Sequence, residues 1–204
     1  VLLTLFAARA LYDFFTPLTA LVTMFLSTAF VALASVKYNR RPLALASLAL
    51  AGIAPLLTYS PHPDYVGLFA YLMVVVLGSL WVVMMTGRRE LVLAALALVS
   101  LYSLPHFASG FIADRGVLLL FAYAFAGIFF VTNSLGILRL KGKDIYVDLL
   151  TAGGNGLFLL VWIVVAVPKV WQSLTMSAWM VVFSVGAFLL FRATGKREPL
   201  FVYA

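Results

Sequence analysis

The segment "IYVDLLTAGGNGLFLLVW" concentrates most of the polar chemistry in the apolar part of this chain. Asn155 sits among Gly153, Gly154 and Gly156, two helical turns beyond Asp148. Three glycines in four residues weaken a helix. Two arrangements follow. In one, the helix breaks, and exposed backbone groups together with Asn155 bind a substrate or an ion, as in discontinuous transporter helices. In the other, the glycines admit a neighbouring helix and Asn155 bonds across to it, which is the commoner use of such residues in membranes. The expected neighbour is "VTNSLG", where Asn133 and Ser134 are placed to meet Asp148 or Asn155. Asn133, Asp148, Gly153, Gly154 and Asn155 are the candidate substrate-binding set, because polar groups at membrane depth are costly to keep.

Other reactive side chains are sparse. His62 and His106 are the only histidines, each following a proline. Both are expected on one face as solvated loop residues. A shared metal or haem site would need matching depth and convergent geometry, so no metal site is expected. His62, Asp64, His106 and Asp114 are the residues an outer-face enzyme acting on a lipid or glycan would use, though no spacing rule joins them. Arg9 and Asp13 are four apart and able to pair on one helical face. They read as an ion gate or as an interfacial pair whose arginine snorkels to water, and the second is expected. Signatures for zinc proteases, serine hydrolases and phosphate loops are missing, and "GGNG" follows no strand. No catalytic residue is assigned and no cofactor is expected.

What must position these residues is set by composition. The hydrophobic fraction is 65% and charged residues make up 10%, with a mean hydropathy of +1.12. Soluble domains run near half apolar and a quarter charged, so this chain is solvated mostly by lipid. With 0 cysteines there is no disulfide or thiolate chemistry. Unbroken apolar runs without alternation exclude a membrane barrel. They predict an all-α membrane protein, since helices satisfy their backbone internally.

Spans are expected over 16–36, 42–60, 65–86, 91–107, 116–138, 145–168 and 173–191. Residues 1–15 make the end of an eighth helix, because 1–36 as one helix would be about 54 Å long. The eight form consecutive antiparallel hairpins, roughly 1–36, 37–87, 88–138 and 139–192, within a single transmembrane domain. The chain reads as an excerpt of a longer one.

Net charge is +7. Of the basic residues, 11 fall in alternate connections (Lys37, Arg40, Arg41; Arg88, Arg89; Arg139, Lys141, Lys143; Arg192, Lys196, Arg197) against 3 toward the other side (Arg9, Arg115, Lys169). This bias places the basic turns in the cytoplasm and makes the lipid bilayer, not nucleic acid, the partner.

"RRPLALASLALAG" (40–52) and "RRELVLAALALVS" (88–100) are identical at 8 of 13 positions with an offset of 48. "LFAY" occurs at 68–71 and again at 120–123. Together they predict a parallel hairpin repeat in 40–138, with Tyr71 and Tyr123 in equivalent places. "TPLTALV", "RRPLALASLALAGIAPLLT" and "VGLFAYLMVVVLGSLWVV" resemble the large bacterial polytopic proteins grouped as domain-of-unknown-function 2339. The resemblance covers 12–190 and is best over 40–90. It implies a segment of a longer array of inner-membrane helices, and it carries over no catalytic residue. Three functions follow. The paucity of buried charge favours a scaffold or complex subunit working with other membrane proteins. A transporter around Asn133, Asp148 and Asn155, or the outer-face enzyme, are the alternatives.

Overall fold

A computed structural model describes residues 17–57, 65–109, 115–139 and 145–195. They form seven helices: α1 (Pro17–Lys37), α2 (Arg41–Leu57), α3 (Tyr65–Thr86), α4 (Glu90–Ser109), α5 (Arg115–Arg139), α6 (Ile145–Ala166) and α7 (Lys169–Thr194). No strand occurs among the described residues. Five helices are long and apolar enough to cross a membrane, with α1 and α2 contributing shorter apolar stretches, Val22–Lys37 and Arg41–Leu56. The expected eighth helix lies in residues 1–15, outside the described ones.

The helix ends follow local chemistry. α1 closes in a Schellman motif: Asn39 adopts φ 49, its N–H donates to Val36 O at 3.2 Å, and Arg40 N–H donates to Ser35 O at 3.2 Å. Asparagine tolerates that left-handed conformation better than most residues. α3 stops at Gly87, φ 72, whose N–H donates to Val83 O. α7 begins earlier than the sequence suggests. The spans expected over 145–168 and 173–191 leave 169–172 between them, yet Lys169 to Ser173 are helical. Pro168 is the N-cap with φ −56, so the fixed proline angle starts the next helix directly.

The chain forms two compact units, Val1–Ala95 and Leu96–Ala204, with the boundary inside α4. In the first unit α1 and α2 pack most extensively on each other, and α3 packs on both. Its core is Met24, Ala44, Leu48, Ala51, Ala54, Phe69, Leu72 and Val76. Tyr71 lies there, its hydroxyl donating to Ala51 O at 2.9 Å and its ring edge-on to Phe25.

In the second unit α5 and α6 make the main pair, with α7 against both. Phe125, Ala126, Phe129, Leu159, Trp162 and Ile163 form its centre. Tyr123 packs against Trp179, ring centroids 5.6 Å apart, and Phe130 against Phe183 at 5.4 Å. The two "LFAY" tyrosines therefore have different partners, a backbone carbonyl in one case and a tryptophan in the other. From 123 to 130 along α5 the partners on α7 advance from 179 to 183, so these two helices run in the same direction.

Large apolar side chains point outward, among them Phe30, Met84, Leu120, Leu157 and Leu174. Exposed large apolar side chains in such number suit a lipid-facing protein.

Candidate functional site

The candidate residues of the second unit converge on the α5–α6 seam. α6 is an unbroken α-helix from Ile145 to Ala166, running straight through 153–156. The discontinuous-helix arrangement is thus not the one adopted. Helix propensity is a weak prior of about 1 kcal/mol per glycine, and in lipid an opened backbone loses far more.

Asn155 is buried, and its Nδ2 donates to Ala126 O on α5 at 2.9 Å. Asn133, equally buried, donates from Nδ2 to Asp148 O on α6 at 2.8 Å. The bond is reciprocal: each helix gives one amide and one carbonyl. Moving from 126 to 133 on α5 corresponds to moving from 155 back to 148 on α6, so the helices are antiparallel. The two bonds stand two turns apart, about 10 Å. A helical carbonyl keeps a second lone pair after its own ladder bond, and these amides use it.

Asp148 is buried in the first turn of α6, where the positive end of the helix dipole favours a carboxylate. Thr151, one turn on, returns its hydroxyl to Val147 O at 2.7 Å. Ser134 Oγ is buried and finds no hydrogen-bond partner, so its expected meeting with Asp148 or Asn155 does not occur. The Oδ1 of Asn155 also lacks a donor.

The glycines divide. A Cβ on Gly154 would come 3.1 Å from Leu96 Cδ2 of α4, so this position admits a neighbour. Gly153 and Gly156 face open space. The tightest approach falls on a glycine that the sequence did not single out. A Cβ on Gly186 of α7 would overlap the ring of Phe130. Its signal was "SVGAF", small residues interrupting a bulky apolar run.

His106 corrects a second expectation. It is not a solvated loop residue: it is buried inside α4, its ring 6.2 Å from that of Trp162. Pro105 sits near the helix C-terminus without ending it, so the helix carries His106 into the packing. Trp162 is fully buried, edge-on to Phe107 at 5.2 Å, and its Nε1 donates to Ser103 Oγ at 3.2 Å. Ser103 passes its own proton to Val99 O at 2.9 Å. Buried Trp needs such an acceptor, and a serine one turn from His106 supplies it. His62, Asp64, Asp114, Arg9 and Asp13 lie outside the described residues. Among the described residues no three His, Cys, Asp or Glu side chains group as metal ligands.

The buried amides tie α5 to α6 by two cross-helix hydrogen bonds. No curated protein and no solved structure matches the chain. A family model described as "Predicted membrane protein (DUF2339)" matches residues 1–203, nearly the whole length. The chain belongs to this family of predicted membrane proteins, as its helix strings implied.

Proposed function

We propose that this chain is a non-catalytic helix array of the inner membrane, a scaffold or a subunit of a membrane complex, with its basic turns in the cytoplasm. The observation that carries this is the use made of the buried amides. Asn133 and Asn155 spend their donors on neighbouring backbone, along an unbroken helix. An ion-coupled carrier commits several ionisable groups to its interior, whereas among the described residues the long helices bury Asp148 and His106. α7 supports the same reading. Only 11% of its apolar window is buried, against 33% to 44% for the other four long spans. That leaves a broad flank for partner helices as well as lipid.

The duplication inferred over 40–138 belongs to this proposal. Asn39 and Gly87, 48 residues apart, both take left-handed conformations immediately before an arginine pair. Repeated hairpins of one orientation build an array by addition.

The competing permeation reading draws on buried Asp148 and on the unmet Oδ1 of Asn155. Full-length protein in proteoliposomes separates the two. Under the scaffold reading, Asp148→Asn leaves solute and proton flux at the empty-vesicle level, as wild type does. Val181→Trp with Val185→Trp on the exposed flank of α7 removes the native-gel complex. Flux well above empty vesicles that Asp148→Asn abolishes, with folding intact, would establish transport instead. The outer-face enzyme reading loses His106 as an accessible residue, since it is buried beside Trp162.

A further inference from the structure

Two short basic turns of the first unit, 37–41 and 87–90, are fastened to each other. Arg88 Nη2 donates to Asn39 O at 2.5 Å and to Asn39 Oδ1 at 2.9 Å. Arg41 Nη2 pairs with Glu90 Oε1 at 2.9 Å. The left-handed turn at Asn39 aims its carbonyl and its side chain at one guanidinium.

These links gather Lys37, Arg40, Arg41, Arg88 and Arg89 in one place, with Glu90 as the carboxylate among them. Like charges held this close repel, and bulk salt screens them only partly within a Debye length. Lys37, Arg40 and Arg41 are exposed. Arg88 Nη1 is enclosed and has no acceptor in the protein. A patch with excess cation fits an oxyanion such as a phosphodiester, whose oxygens accept from several donors.

Its location selects the oxyanion. α1 and α3 end here and α2 and α4 begin here, so the patch lies at the polar end of apolar helices. Just along those helices, Leu33, Met84 and Met85 are exposed apolar side chains able to receive acyl chains. A free phosphate would make no use of them.

We propose that turns 37–41 and 87–90 form a binding site for the phosphate of an anionic phospholipid headgroup. Lys37 and Arg40 contact the phosphate directly. Arg41 and Arg88 contribute charge from positions fixed by Glu90 and Asn39.

The test uses full-length protein in phosphatidylcholine nanodiscs, with and without phosphatidylglycerol, and native mass spectrometry to count retained lipid. Wild type retains phosphatidylglycerol over phosphatidylcholine. Arg40→Gln lowers that retention roughly fivefold, the effect of one interfacial charge. Arg88→Gln lowers it at least as far, and Arg192→Gln, an exposed cation at the end of α7, leaves it unchanged. Should Arg88→Gln misfold, exposed Arg40 still carries the test. Equal retention in Arg40→Gln and wild type overturns the site, as does equal loss in Arg192→Gln. Inorganic phosphate displacing the lipid, or matching its thermal stabilisation without it, would assign the patch to a soluble anion and overturn the lipid.

Discussion

In α1 and α2 the buried hydroxyls turn back on their own helix. Thr28 donates to Phe25 O at 2.8 Å, Ser35 to Ala32 O at 2.6 Å and Ser47 to Ala44 O at 2.8 Å. In α5 and α6 the buried amides reach across, Asn133 to Asp148 O and Asn155 to Ala126 O. Both pairs are joined by a short basic stretch of sequence and both are extensively packed. Side-chain length explains the difference. A serine hydroxyl sits within reach of the carbonyl three or four residues back and hides its polarity there. An asparagine amide carries two donors and an acceptor and finds its partner on the next helix. The first pair is thereby held by the fit of small residues such as Ala44, Ser47, Ala51 and Ala54. The second is held by two directional bonds that also set its register.

The largest way to break this comparison is Asn155→Asp. It replaces the donor to Ala126 O with an acceptor and places a carboxylate in an apolar seam. The loss should be about 3 kcal/mol, the scale of a charge at a helix centre. Unfolding by SDS titration of full-length protein measures it. A loss under about 1 kcal/mol would mean that water or a cation reaches Asn155, and the seam would then be a pathway.

How much of this was legible in the sequence follows from the same contrast. Helix positions were, because long apolar runs in lipid have few alternatives: 65–86 matches α3 end to end. So was a meeting of the 133–134 stretch with 148 or 155, since a polar residue in lipid needs a polar neighbour, though which pair would form stayed open. The identity of the accepting atom was not legible. Asn133 takes the backbone of Asp148 rather than its carboxylate, a choice set by how close the helices come. The glycine cluster was legible only in part: a Cβ on Gly154 would crowd Leu96, while Gly153 and Gly156 face open space. Composition marks 153–156, while close approach depends on what lies opposite, and that is Phe130 against Gly186. Arg88 reaching Asn39 was hidden too, since a left-handed asparagine shows only in the folded turn.

A finer comparison sets Asn133→Ala against Ser47→Ala. The asparagine change removes a cross-helix bond, and double-mutant cycles in membranes put such bonds at about 0.6 kcal/mol, with a maximum near 1.7. Ser47→Ala removes a bond internal to α2, leaves Ala44 O with its helical ladder, and should shift stability by at most a few tenths of a kcal/mol. The same SDS titration ranks them. Equal losses would show that both seams rest on packing alone, and the reciprocal amides would be incidental.

The smallest effect tests the glycine cluster itself. Gly153→Ala adds a methyl into open space on a continuous helix, so nothing must move to accept it. Alanine restores up to about 1 kcal/mol of helix propensity, less in lipid, where α6 is already favoured. The expected outcome is unchanged or slightly raised stability, read from the same titration. A marked loss of stability would mean that another surface packs against Gly153, and of the occupants considered only a partner helix presses that closely. The glycines of α6 would then belong with the exposed flank of α7 as part of a docking face. The unlike behaviour of the two helix pairs would reflect which one the complex uses.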